Sequence, residues 1–166
     1  MFKNIGTAWL FDDDINTDYI VASRRKKDTL DLNILKNYLM EDIRPGFGRL
    51  VKRGDILVAG ENFGCGSAME IATLIISYSG ITVIIAKSFS RTFCRNGING
   101  GLILLSCDTS NINEGDILSI EINSEKAIVH NKTKGRKIEC NKVPRQLFKY
   151  VTEGGLISYF NKHSSL

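Results

Sequence analysis

A chain of 166 residues has the length of one ordinary domain and can bury a sizeable core. Apolar residues make up 43% of it and charged residues 24%, the balance of a soluble globular protein, and no apolar run approaches the ~20 residues that a bilayer crossing needs. The net charge of +4 is mild and the basic residues are scattered among acidic ones, so neither a nucleic acid nor a membrane surface is an expected partner.

The opening residues Met1-Phe2-Lys3-Asn4-Ile5-Gly6 carry no apolar leader and no small-residue cleavage site, so a cytoplasmic location is the default expectation. Thr7-Ala8-Trp9-Leu10-Phe11 reads as a short first strand, followed by a polar turn-forming loop from Asp12 to Asp18. Arg24-Arg25-Lys26-Lys27 is the one basic run and reads as a solvated loop. Leu32 to Met40 has the spacing of a short amphipathic helix, which Arg44-Pro45-Gly46 breaks.

Gly54-Asp55 marks a turn, and Ile56-Leu57-Val58-Ala59-Gly60 is apolar, partly β-branched and of strand length. A glycine-punctuated loop, Glu61 to Ser67, follows. Ala68 to Tyr78 then reads as a helix with Gly80 near its end, and Val83-Ile84-Ile85-Ala86 as a second buried strand. Strand, loop, helix and strand in that order predict a right-handed crossover with parallel strands. Phe89 to Asn99 continues as a helix and Leu102-Ile103-Leu104-Leu105 as a third buried strand.

Beyond Gly115-Asp116 the pattern changes. Residues 117–122 alternate at period two, and 126–130 and 136–140 are further short strands, which predicts an antiparallel meander. A helix near 144–150 and the segment Gly154 to Phe160 close the pattern. One α/β domain over residues 1–166, with a β-rich, barrel-like C-terminal part, accommodates all of this.

Four cysteines, Cys65, Cys94, Cys107 and Cys140, form no C-x-x-C pair and match no zinc or ferredoxin spacing, and the two histidines come late in the chain. No metal site made by this chain alone is expected, and reduced thiols are.

The chemistry-bearing stretch is Gly64-Cys65-Gly66-Ser67. Ligands of α/β sheets gather where strands end and helices begin, because unpaired N–H groups and the helix dipole favour an anion there. Ser67 either caps the helix, with Glu70 three residues later completing a capping box, or faces a ligand. A phosphate loop is the weaker option, since neither G-x-x-x-x-G-K-[ST] nor G-x-G-x-x-G is present.

Several segments together carry a family resemblance. Asp13-Asp14-Ile15-Asn16-Thr17-Asp18-Tyr19-Ile20-Val21 resembles the D-D-I-D-T-D-x-I-I opening of 3-isopropylmalate dehydratase small subunits. Gly60 to Ser67 matches their G-E-N-F-G-C-G-S, and Ala86 to Asn99 is similar to A-K-S-F-A-R-I-F-Y-R-N-A-I-N. Gly154-Gly155-Leu156-Ile157 is similar to the family's ending. The resemblance implies a swivelling β/β/α domain like the aconitase C-terminal domain. It implies a large partner subunit that holds a [4Fe-4S] cluster, a small-molecule hydroxy-acid substrate, and room for a higher hetero-oligomer. It also implies that Ser67 is the base that removes a proton beside a carboxylate, and that Asp18 is the acidic residue near it.

The chain departs from the family where G-S-S-R-E becomes Gly66-Ser67-Ala68-Met69-Glu70. An arginine fork that grips a carboxylate is replaced by methionine, which cannot do so. The substrate-selecting Y-L-R-T-like segment is replaced by Arg25-Lys26-Lys27-Asp28. The expected substrate-binding set is therefore Asp18, Arg25, Lys26, Lys27, Gly64, Cys65, Gly66, Ala68 and Met69, with one of the three cations replacing the arginine or with a substrate of different far end. Isopropylmalate is the family's default substrate. Homoaconitase-type and dimethylmalate-type dehydratases, and a non-catalytic paralogue, are the alternatives.

Overall fold

The computed structural model describes residues 1–123 and 125–163. Seven strands form one mixed sheet: β1 (Phe2–Leu10), β2 (Ile56–Ala59), β3 (Val83–Ala86), β4 (Ile103–Ser106), β5 (Ile117–Ile122), β6 (Ala127–Asn131) and β7 (Arg136–Cys140). Their order is β4-β3-β2-β1-β5-β6-β7. The β1–β4 strands run parallel, and β5–β7 form the antiparallel meander.

β1 joins the two parts. Its first portion, Phe2 to Thr7, pairs antiparallel with β5, and Ala8 to Leu10 pair in parallel with β2. The strand thus starts well before the expected Thr7. Polar Lys3 and Asn4 and the interior Gly6 hide it in the sequence, and the β5 ladder supplies what propensity does not. Gly6 has a steric reason: a β-carbon there would lie 1.9 Å from the Gly54 carbonyl oxygen.

Every residue of β2 and β3 is buried, as expected for parallel strands covered on both faces. Alternate residues face two cores. Leu57, Ala59, Ile84 and Ala86 pack beneath the helices with Phe47, Phe63, Ile75 and Phe93. Ile56, Val58, Val83 and Ile85 pack across the curled sheet against Leu118, Ile120, Ile122 and Val129. The layering is therefore sheet on sheet with helices on one outer face, the anticipated β/β/α arrangement. The two edge strands meet at one end, where the Asn141 N–H donates to the Ser106 carbonyl at 2.9 Å and the Ser106 N–H to the Asn141 side chain at 2.7 Å.

The helices are α1 (Thr17–Ile20), α2 (Ser23–Asp28), α3 (Leu32–Leu35), α4 (Phe47–Leu50), α5 (Glu70–Tyr78), α6 (Arg91–Asn99), α7 (Arg145–Thr152) and α8 (Leu156–His163). Two expectations need correction. The basic run is a helical turn, α2, although it buries none of its residues. The helix expected over 32–40 stops after α3 and continues only as a 3₁₀ turn, Lys36–Tyr38, before Met40 takes a positive φ of 56°. Among the described residues no helix is long and apolar enough to cross a membrane.

Candidate functional site

The glycine loop leaves the carboxyl end of β2 and is held on both sides. On one side the Phe63 N–H donates to the Ser88 carbonyl and the Ser90 N–H to the Phe63 carbonyl, each at 3.0 Å, while the Ser90 hydroxyl donates to the Gly64 carbonyl at 2.7 Å. On the other side the Gly64 N–H donates to the Ile15 carbonyl at 2.7 Å and the Thr17 N–H to the Cys65 carbonyl at 2.9 Å. The Asp13 carboxylate accepts from the Glu61 N–H at 2.7 Å, and Asn62 donates to Asp14 at 2.8 Å. Phe63, fully buried, pins the loop from below by edge-to-face contacts with Phe93 and Phe89.

Gly64 and Gly66 both have positive φ, 77° and 89°, a conformation that favours glycine. The loop then runs through Ser67 and Ala68, both exposed, to Met69. The capping-box reading of Ser67 is corrected here: α5 starts at Glu70, and Met69 is its N-cap without a side-chain cap bond. Ser67 lies ahead of the helix and is fixed through its carbonyl, which accepts from the Thr17 hydroxyl at 2.9 Å. Its own hydroxyl stays outside the loop's framework. The N–H groups of residues 66–68 donate to no backbone carbonyl among the described residues. The result is an exposed hydroxyl beside free N–H donors at the mouth of a helix, a setting that favours an anion.

Cys65 shares the loop. Burial pushes its thiol up from the ordinary value, and the Asp14 carboxylate pushes it further, which disfavours the thiolate. Asp18, exposed on α1, accepts from the Ser23 hydroxyl at 2.6 Å and ties α1 to α2.

The three expected cations separate. Arg25 places its fork on Glu41 at 2.7 and 2.9 Å and lies 3.9 Å above the Tyr38 ring. The hydrogen bond to Glu41 is the main cause that raises its pKa above the ordinary guanidinium value. Lys27 is exposed. Lys26 alone reaches the loop, with its ammonium against the Met69 sulfur.

The structure thus gathers Gly64, Cys65, Gly66, Ser67, Ala68, Met69 and Lys26, with Asp18 at the neighbouring helix, and commits Arg25 to Glu41. It adds residues that carry no chemical signal of their own: Asp13, Thr17 and Ser90 shape the loop, and Glu41 removes Arg25 from it. Asp13 and Thr17 stand in the segment that carries the resemblance, and Ser90 could have been found as the N-cap of α6. Among the described residues no three His, Cys, Asp or Glu side chains are grouped to hold a metal ion.

Residues 48–110 match the aconitase C-terminal domain family. The chain is 42% identical over 164 residues to the 3-isopropylmalate dehydratase small subunit 2 of Archaeoglobus fulgidus, covering 99% of this chain and 98% of that one. It is also 42% identical to the methanogen homoaconitase small subunit of Methanocaldococcus jannaschii, over 95% of this chain and 91% of the other. The crystal structure of a 3-isopropylmalate dehydratase from the same organism superposes with a TM-score of 0.91 at 39% identity, over 97% and 95% of the two chains. Full-length identity at this level, on the same fold, places the chain in the 3-isopropylmalate dehydratase small-subunit family of the aconitase superfamily.

Proposed function

We propose that the chain is the small subunit of a two-subunit hydro-lyase acting on a hydroxy di- or tricarboxylate, with 3-isopropylmalate dehydration in leucine biosynthesis as the leading reading. The carrying observation is Ser67: an exposed hydroxyl at the end of a rigid glycine loop, beside free N–H donors and a helix N-terminus, in a chain related over its full length to such subunits. Ser67 removes the proton from the carbon next to the substrate's carboxylate. The loop N–H groups and the dipole of α5 lower the cost of the alkoxide. Asp18 and the loop residues Gly64, Cys65, Gly66, Ala68 and Met69 border the substrate.

A large subunit completes the site, because Ser67 and Ala68 are open to solvent on this chain. The [4Fe-4S] cluster belongs to that subunit, where its unligated iron supplies a Lewis acid for the substrate hydroxyl. The whole chain acts as one swivel domain docked on it, in the cytoplasm, which the four free thiols suit.

The decisive test is Ser67→Ala in the complex reconstituted anaerobically with the large subunit. Removal of an essential proton-transfer group costs about two orders of magnitude or more in turnover, with folding and subunit binding unchanged because the hydroxyl holds nothing in place. Turnover equal to that of the unaltered complex would remove Ser67 from the mechanism, and no turnover with the unaltered chain would favour a non-catalytic paralogue.

A further inference from the structure

The chain bears a pair of thiols outside the site. β4 and β7 are the two edges of the sheet, and their directions are opposed: β4 runs parallel to β1, while β7 pairs antiparallel with β6. The edges touch where Asn141 bonds to Ser106. Cys107 is the residue after Ser106, and Cys140 is the residue before Asn141, so the contact between opposed strand directions brings the two thiols close to each other. Both side chains pack on the same interior cluster, and both remain partly accessible. A disulfide spans α-carbons about 4.4–6.8 Å apart.

We propose that Cys107 and Cys140 form a reversible thiol–disulfide pair that locks the β4–β7 seam and is oxidised by small-molecule disulfides. The neighbouring Cys107 thiol and burial push the Cys140 thiol up, so the first attack falls to Cys107. Its thiolate attacks one sulfur of the small disulfide and expels the other half as a thiolate, leaving a mixed disulfide on Cys107. Cys140 then gives up its proton to that thiolate, attacks the Cys107 sulfur and expels the second half. The protein loses two S–H bonds and gains one S–S bond, and the small disulfide is reduced to two thiols. Cys65 and Cys94 serve as internal controls: burial raises both, and no second thiol contributes to either shift.

The test uses the full chain incubated with excess oxidised glutathione, then alkylated under denaturing conditions and mapped by peptide mass. The expected result is a linked Cys107–Cys140 peptide, with Cys65 and Cys94 alkylated, reverting on addition of dithiothreitol. Thermal unfolding of the oxidised chain should occur about 5–10 °C higher than that of the reduced chain, and Cys107→Ser should show neither the link nor the rise. Four alkylated cysteines, a mixed disulfide that persists at Cys107, or links between other cysteines would overturn the pairing. A linked peptide without a rise in melting temperature would overturn the locking of the seam.

Discussion

Gly64 shows how one residue without a side chain builds the site. At φ 77° an alanine is already strained, and its β-carbon would fall 2.2 Å from the ring of Phe93. That ring cannot retreat, because it is buried and packs edge-to-face on Phe63 at 5.1 Å between centroids. Gly64→Ala should therefore lower stability by about 3 kcal/mol or more through strain and overpacking together. Gly66 is the control: its φ is 89°, but its β-carbon would meet nothing closer than 3.4 Å. Gly66→Ala should cost only about 1–2 kcal/mol of left-handed strain. Denaturant unfolding of the two variants measures the difference, and equal losses would show that Phe93 does yield. The glycines were legible in the sequence as punctuation between a strand and a helix. That Gly64 answers to an aromatic ring contributed by α6 was not, because the contact is tertiary.

At the scale of elements, α2 sets which of its cations reaches Met69. Its sequence, SRRKKD, has no apolar residue to mark a helical face, and it reads as a loop. Its helical turn is fixed from outside, by Arg24 on Asp42 and Glu41 and by Arg25 on Glu41 and Tyr38. The competition among its cations is settled by those acidic partners, which lie more than a dozen residues away and leave Lys26 as the one that reaches Met69. Lys26 thus brings a positive charge to the position where the family has arginine. If it grips the substrate carboxylate, Lys26→Ala in the reconstituted complex should lower kcat/KM by about 10²-fold or more, the scale of leaving a desolvated charge unpaired. Lys27→Ala should change it little, as exposed charges do. Arg25→Ala should show its main effect as a lower melting temperature. Adding Met69→Arg to Lys26→Ala should restore most of the lost kcat/KM, and a double variant as poor as the single one would mean that the pocket no longer holds a carboxylate there.

At the scale of the whole molecule, the layered sheet was readable because two kinds of pattern sit in sequence order: fully apolar runs for parallel strands covered on both faces, then period-two alternation for the meander. The seam that closes the sheet was not readable, since it joins residues far apart through single polar contacts at Ser106 and Asn141. The same holds for the carboxylates that pin the turn before β5. Glu114 accepts from the Leu10 N–H at 2.6 Å and pairs with Arg44, tying the end of β1 to the segment before α4. Asp116, buried, accepts from Asn131 at 2.6 Å and from the Asn113 N–H at 2.9 Å, with the Lys134 ammonium 3.5 Å away. Burial alone would raise both carboxyls. For Glu114, Arg44 and the Leu10 N–H outweigh it, and for Asp116, the Asn113 N–H, Asn131 and Lys134 do, so both fall below their ordinary values of 4.5 and 3.8. A carboxyl whose folded value lies below its unfolded value stabilises the fold above the unfolded value, and that contribution is lost as pH falls through the folded one. Stability should therefore be nearly level from pH 7 to about 5 and should drop through and below about pH 4. Urea midpoints measured across that range test this. Glu114→Gln with Asp116→Asn should lower the midpoint at neutral pH and flatten the acid limb. An acid limb equally steep in the double variant would assign the loss to other carboxylates, such as Asp42 beside Arg24 and Glu153 beside His163, whose values are also depressed.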